Sequence, residues 1–231
     1  MKVVIFCGGK GTRLSEMTDE LPKPMIKIGD RPILWHLMKL YKHYGHNEFI
    51  LLLGYRKKAI EDYFRNSEFN ITFLDTGEES NKGERLKMAK KLMGNDEDFL
   101  LSYGDDLTDA NINKVIEHHK KHGKIVTLTA VRLMSQFGII TTDKDGLVTD
   151  FLEKPVLDHL INGGFYVINR KIFNYIKKGY DLEREAFTDL ARERQIASYK
   201  HSGFWKSMNT LKDVIEFNEL WKTDRKWVVW K

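Results

Sequence analysis

Short apolar runs rich in β-branched residues alternate with amphipathic stripes over residues 2–131. This alternation narrows the fold of the 231-residue chain more than any other feature. Lys2–Cys7, Glu48–Leu53, Asn70–Leu74, Phe99–Tyr103 and Ile125–Val131 have the length and branching of buried strands. Between them, Pro32–Tyr44 carries apolar residues at 33, 34, 37, 38, 40 and 41, a helical stripe with proline in its first turn. Lys57–Phe64 sets Ile60, Tyr63 and Phe64 on one side, Gly83–Met93 predicts a further helix, and Asn111–His122 aligns Ile112, Val115, Ile116 and His119. Such alternation predicts a mostly parallel sheet with helices on both faces. The second half is less regular. Gly138–Thr142, Val148–Glu153 and Phe165–Ile168 predict strands, and Arg170–Ile176, Arg184–Glu193 and Thr210–Trp221 predict helices. The expected architecture is a doubly wound α/β sheet with extra strands in its second half, its ligands beyond the carboxyl ends of the strands. No fixed-period repeat and no Ser/Gly/Pro-rich linker interrupts the chain, so one domain over 1–231 is expected.

Composition excludes several classes of function. Apolar residues at 42% and charged residues at 31% describe a globular chain, not a disordered one. The apolar run Phe49–Leu53 is far short of a membrane span. Lys10 and Arg13 arrive too early for a secretory leader, and one cysteine forms no internal disulfide, so a cytoplasmic protein is expected. The net charge of +5 favours an anionic ligand, but basic and acidic residues are interspersed and no nucleic-acid motif is present. A small-molecule role is expected, with no nucleic acid and no membrane as partner.

The sharpest motif is Gly8-Gly9-Lys10-Gly11-Thr12-Arg13-Leu14, directly after the first strand. Glycines there let backbone N–H groups approach phosphate closely. A Walker A loop needs Lys-Ser or Lys-Thr after its last glycine, and a dinucleotide loop needs glycine at position 14, so both fingerprints fail. A different phosphate cradle remains, with Arg13 placed to hold a polyphosphate. In Leu21-Pro22-Lys23-Pro24-Met25, two prolines fix the backbone around one lysine, which suits a phosphate contact.

On these two motifs the chain resembles the sugar-1-phosphate nucleotidyltransferases. Further segments narrow the resemblance to the glucose-1-phosphate cytidylyltransferase branch: GDRPILWHLMKLYKHYG, TFLDTGEESNKGERLK, YGDD, EKP, INGGFYVIN and HSGFWKSMNTLKD. The resemblance implies a Rossmann-like three-layer α/β/α sandwich with a mostly parallel mixed sheet, of the nucleotide-diphospho-sugar transferase type. Residues 1–131 would then be a nucleotide-binding half and 132–231 an acceptor-binding half. It also implies transfer of CMP from CTP to the phosphate of a small metabolite, with Mg2+ as cofactor and release of pyrophosphate. Gly8, Gly9, Gly11, Thr12, Arg13, Lys23, Ser80, Arg85 and Gly104 would hold the nucleotide, with Arg13, Lys23 and Lys154 catalytic. Glu153, Lys154, Asn162 and Gly163 would receive the acceptor, and Asp105 with Asn209 the metal. No Ser-His-Asp or Cys-His constellation is evident, which fits a phosphate nucleophile that needs no general base.

The chain departs from the branch at three places. Asn209, in Met208-Asn209-Thr210, stands where the branch has its second metal aspartate; it offers a carbonyl oxygen without charge. A longer segment is missing where Arg65–Asn70 connects directly. Glu84 and Asp106 each replace a glycine. Glucose 1-phosphate is the acceptor the resemblance implies. The departures raise two alternatives: the same transfer to a non-sugar phosphate of capsule biosynthesis, such as phosphoglutamine, and a nucleotide-binding pseudoenzyme. Three further features read more plainly. His118, His119 and His122 share a helix; His118 and His122 lie one turn apart, but no third ligand such as Cys or Glu comes at zinc spacing. Trp221, Trp227 and Trp230 predict a tail packed on the core or on another subunit, so a homo-oligomer is open. Cys7 reads as a small buried side chain, although a helix N-terminus beside it can lower a thiol's pKa.

Overall fold

The computed structural model describes residues 1–11, 14 and 21–230. Their strands are β1 (Val3–Phe6), β2 (Lys27–Ile28), β3 (Arg31–Pro32), β4 (Glu48–Leu53), β5 (Asn70–Asp75), β6 (Asp98–Tyr103), β7 (Asp106–Thr108), β8 (Val126–Met134), β9 (Ile139–Thr142), β10 (Val148–Leu152), β11 (Val156–Asn169), β12 (Ile196–His201) and β13 (Trp205–Ser207). The helices are α1 (Ile33–His43), α2 (Lys57–Phe64), α3 (Lys82–Ala89), α4 (Ile112–His122), α5 (Thr188–Arg192) and α6 (Leu211–Thr223).

Seven strands form the central sheet, in the order β12-β8-β11-β6-β1-β4-β5. β1 runs parallel to both β4 and β6, β4 to β5, and β8 to β12. β11 alone in this sheet is antiparallel to its neighbours β6 and β8. The sheet is therefore mixed and mostly parallel, as expected. Successive strand residues point to opposite faces, and β1 shows the result. Val3 and Ile5 enter one core with Leu37 of α1, Ile60 of α2, Ile112 of α4 and Phe217 of α6. Val4 and Phe6 enter a second core with Leu86 of α3, Phe173, Leu182 and Leu190 of α5. Two apolar cores on two faces are the three-layer α/β/α sandwich.

The pairing of β1 with β6 fixes the geometry at the carboxyl end of the sheet. Phe6 lies opposite Tyr103, and the Gly104 N–H donates to the Phe6 carbonyl at 3.0 Å, so the glycine loop and Gly104-Asp105 are neighbours. A separate antiparallel pair, β7 with β13, sets Asp106 opposite Ser207. The Met208 N–H then donates to the Asp105 carbonyl at 3.0 Å, which carries Asn209 to the same place.

Several elements differ from expectation for local reasons. Only Phe165–Ile168 is legible of β11, because the pairing shifts register between Asn162 and Tyr166 and the earlier residues are largely exposed. β7, β12 and β13 are short or polar and carry no alternating pattern. The 83–93 helix divides into α3 and a 3-10 turn at Lys90–Met93, and Arg170–Asn174 is likewise 3-10. The 184–193 helix begins earlier, as a π-helical turn at Leu182–Phe187 that leads into α5.

The tail packs on the core: Trp227 is fully buried, and Trp221, Trp227 and Trp230 surround His36. Of the helix histidines, His119 is buried, its Nδ1 2.9 Å from Thr127 Oγ1, and no group of three or more His, Cys, Asp or Glu among the described residues is arranged to hold a metal. No helix among them is long and apolar enough to cross a membrane.

Candidate active site

The glycine loop leaves β1 against a buried arginine. Arg85, on α3, presents five N–H donors, and each has an acceptor. Nε donates to the Ser80 carbonyl at 2.9 Å, Nη1 to the Leu53 carbonyl at 3.1 Å and Thr76 Oγ1 at 2.6 Å, and Nη2 to the carbonyls of Gly8 at 3.1 Å and Glu78 at 3.0 Å. A Cβ at Gly8 would collide with this guanidinium, so glycine is required there by close approach. Arg85, which the resemblance expects at the nucleotide, is a clamp within the protein. It joins the glycine loop to the loop after β5, and no donor of the guanidinium is left over. Ser80, also expected there, donates its hydroxyl to the Thr76 carbonyl at 2.6 Å.

Gly9 is exposed, and Gly11 adopts φ +65 with its carbonyl accepting from the Leu14 N–H at 2.9 Å. Thr12 and Arg13 lie outside the described residues. Lys10, which the sequence does not single out, crosses to the same loop as Arg85: its Nζ donates to Glu79 Oε1 at 2.5 Å. A cavity of about 270 Å³ opens alongside, lined in part by Gly54, Arg56, Lys57, Asp75 and Glu78.

The Pro-Lys-Pro segment is a 3-10 turn over Lys23–Met25, closed by the Met25 N–H on the Pro22 carbonyl at 2.8 Å. It aims Lys23 across the carboxyl end of the sheet. The ammonium makes an ion pair with Asp105 Oδ2 and donates to Asn209 Oδ1 at 3.1 Å. Asn209 is itself fixed, its Nδ2 donating to Ser207 Oγ at 2.9 Å and its N–H to Asp213 Oδ2 at 3.0 Å. Three residues remote in sequence therefore meet at one point. A carboxylate and an amide oxygen converging on one positive charge are the donor chemistry that a hard divalent cation takes, so the residues fit such an ion.

In the sequence Asp106 is only a departure from the branch; in the structure it is buried beside this point. Burial first, and then the Asp105 carboxylate, push its carboxyl well above the usual range, against the Ser207 hydroxyl and Lys23. Its Oδ2 faces Gly164, where an added Cβ would lie 2.6 Å away. Cys7 is buried as well, and its thiol pKa is raised by burial and then by Asp105. The direction is opposite to the lowering considered for this thiol.

Asn162 and Gly163 occupy the register break in β11. Asn162 Nδ2 donates to the Tyr166 hydroxyl at 2.6 Å and its Oδ1 accepts from the Gly164 N–H at 3.1 Å; the Gly163 carbonyl accepts from Trp205 Nε1 at 2.7 Å. From Tyr166 a polar chain runs on. Its hydroxyl is 2.9 Å from that of Tyr103, which donates to Glu183 Oε1, and Glu183 Oε2 pairs with Lys82 Nζ at 2.6 Å. Burial, then Tyr166 and Glu183, raise the Tyr103 pKa. Tyr103 and Lys82 stand in the segments YGDD and TFLDTGEESNKGERLK but are given no role by the sequence, and Glu183 is not singled out at all. The only local sign is the π-helical turn that carries Glu183, a distortion frequent at functional sites.

Glu153 and Lys154 stand apart. They follow β10, whose hairpin with β9 is exposed throughout, and among the described residues Lys154 pairs with Glu153, at 3.5 Å. Lys154 sits at φ +47.

The nucleotidyl transferase family matches residues 2–226. The "Probable glucose-1-phosphate cytidylyltransferase" of Bacillus subtilis (strain 168) is 41% identical across 100% of both chains. The glucose-1-phosphate cytidylyltransferase of Salmonella typhimurium is 38% identical, again across 100% of both. These alignments span 256 and 258 positions, more than this chain has residues, so the relatives carry sequence that it lacks. Among solved structures, HddC from Yersinia pseudotuberculosis complexed with GMP-PN superposes with a TM-score of 0.73 at 24% identity, covering 94% of this chain and 98% of that one. A UDP-glucose pyrophosphorylase complexed with UDP-glucose gives 0.75 at 19% identity, covering 97% and 99%. These two likenesses concern the fold.

Proposed function

Because the chain belongs to the nucleotidyl transferase family and is a nucleotidyltransferase enzyme, we propose that it moves CMP from CTP to glucose 1-phosphate, forming CDP-glucose and pyrophosphate. The observation that carries this reading is the convergence of Lys23, Asp105 and Asn209 beside the glycine loop. Identity to the two cytidylyltransferases over their full length supports the choice of base and acceptor.

On this reading, residues 1–131 seat the nucleotide and 132–231 the acceptor, with Asn209 reaching back from the second part to the first. Backbone N–H groups of Gly8, Gly9 and Gly11 approach the triphosphate, and Arg13 steadies the departing pyrophosphate. Arg85 and Ser80 act one step removed, by holding the loops that touch the nucleotide. Asp105 and Asn209 would hold Mg2+. When bound, the ion neutralises charge that builds up on the phosphates. Lys154 and Glu153 receive the acceptor, and Asn162 with Gly163 line its far side.

The attacking group is an oxygen of the acceptor phosphate, which displaces pyrophosphate from the α-phosphorus. A phosphate monoester has its second pKa at about 6 and is mostly dianionic at neutral pH, so no protein base is required. What the chain must supply is positive charge and alignment. A non-sugar phosphate acceptor is the second reading. It is favoured by Asp106, whose buried carboxyl projects onto Gly164 beside Asn162.

The test is pyrophosphate release with CTP and Mg2+ across glucose 1-phosphate, other sugar phosphates and phosphorylated amino acids. The expected result is release with glucose 1-phosphate and a CDP-glucose product by mass spectrometry. Turnover confined to another phosphate would move the acceptor to the second reading, and no turnover with any acceptor while CTP still binds would favour a pseudoenzyme.

A further inference from the structure

We propose that the Lys23 ammonium occupies the cation position of the free enzyme, so that a divalent metal enters only when a triphosphate draws the lysine away. The inference rests on the reading of Asp105 and Asn209 as the metal-holding pair. The two oxygens that would hold the ion, Asp105 Oδ2 and Asn209 Oδ1, are the two that Lys23 Nζ engages. Lys23 and Asp105 side chains are only 13% and 21% exposed, so water screens the charge there weakly.

The pieces around the lysine make the exchange specific. Pro22 and Pro24 hold its backbone, and the 3-10 turn closes behind it, so the side chain alone has to swing. Asn209 is held from the other side by Ser207 and Asp213 and stays aimed at the same point. An ammonium and a divalent ion cannot share two oxygens without strong repulsion. At the effective dielectric of a half-buried site, that repulsion lowers metal affinity by about ten- to a thousandfold. An arriving triphosphate offers the ammonium a denser set of negative oxygens than one carboxylate and one amide. Lys23 then moves from the metal-holding pair to the phosphates, and the vacated oxygens receive the metal that arrives with the nucleotide. Neutral Asn209 has a part in this, because a second carboxylate would bind the ammonium more tightly and resist its release. Nucleotide binding therefore precedes or accompanies metal binding.

The test measures Mn2+ binding without nucleotide, from the electron paramagnetic resonance signal of the free ion. It compares wild type, Lys23→Met and the double variant Lys23→Met/Asp105→Asn. Lys23→Met is expected to bind Mn2+ at least about tenfold more tightly than wild type, and the added Asp105→Asn to remove the gain. Equal affinity in wild type and Lys23→Met overturns the proposal, as does a gain that survives Asp105→Asn. Lys23→Gln gives the same comparison if Lys23→Met does not fold, with melting temperature as the check. The functional reading fails separately: a tenfold gain in Mn2+ binding with no pyrophosphate release from wild type in the acceptor screen would remove cytidylyl transfer and leave the competition standing.

Discussion

The loop after β1 and the arm of β9 and β10 face opposite requirements. Around the loop, every donor of Arg85 is bonded, Lys23 is held between Asp105 and Asn209, Arg85 is buried and the other three are partly buried. Along the arm, both strands are exposed, Phe137 and Phe151 are 76% and 62% exposed, and Lys154 makes a long ion pair with Glu153. The loops and the Lys23 backbone are held in place where, on the proposed function, the triphosphate is received, so the Lys23 side chain alone has to move when the nucleotide arrives. Lys154, by contrast, carries a half-exposed side chain, which on the same proposal the acceptor immobilises on binding. On that proposal the framework of one side is built before its ligand arrives, and the other side is completed by its ligand.

The largest break in this comparison comes from Arg85. Replacing it with methionine strips hydrogen bonds from the buried acceptors that surround the guanidinium. The expected loss is about 3–5 kcal/mol of stability, in the range for removing one partner of a buried charged network. Urea unfolding would show it as a lower midpoint with an unchanged slope. A variant that unfolds like the parent would mean that the loop is no better fixed than the arm.

Acid sharpens the comparison by a smaller amount. His36 lies under the tryptophan tail, with Nε2 3.0 Å from the Ile28 carbonyl, and burial lowers its pKa to about 4. In the unfolded chain the same group titrates near its ordinary value of about 6.5. The unfolded state therefore takes up the proton first. The stability is fully present above about pH 6.5 and is lost as pH falls toward 4, by about 3 kcal/mol from this residue. Urea midpoints measured from pH 7 to pH 4.5 would show the slope, and His36→Phe should flatten it. This acid sensitivity lies in the packed core beneath the tryptophan tail.

Those same differences decide what is legible in the sequence. β1, the glycine loop, Pro22-Lys23-Pro24 and Tyr103-Gly104-Asp105 are local signals: each depends on residues within a few positions, and each identifies a strand end or a turn. The meeting of Lys23 with Asn209 is a tertiary contact between the start and the end of the chain, created by the three-residue strands β7 and β13. Neither strand has a pattern long enough to predict. Arg85 is expected to touch the nucleotide, yet no periodicity reveals that its donors are taken by the carbonyls of Leu53, Gly8, Glu78 and Ser80 and the Thr76 hydroxyl. The glycines and the Asn162 bond that break the register of β11 also interrupt its alternation, so only its regular last third resembles a strand. Glu183 gives no signal in the sequence, because a π-helical turn places it on a face that a helix of 3.6 residues per turn would not predict.

The smallest effect belongs to Lys154, and it separates position from charge. Lys154→Ala should raise the acceptor KM by about tenfold, the order of one charge-assisted hydrogen bond. The CTP KM and the unfolding midpoint should stay where they are, since the Glu153 pair is exposed and such pairs add little stability. The backbone supplies a second comparison at the same position. Lys154 adopts φ +47, a left-handed conformation that costs a non-glycine residue roughly 1 kcal/mol. Lys154→Gly removes that strain together with the ammonium, so it should unfold at or slightly above the parent's midpoint while sharing the weakened acceptor KM of Lys154→Ala. If instead either variant also raised the CTP KM, the arm would be coupled to the phosphate loop before any acceptor binds, and the division between a prebuilt side and a completed side would fail.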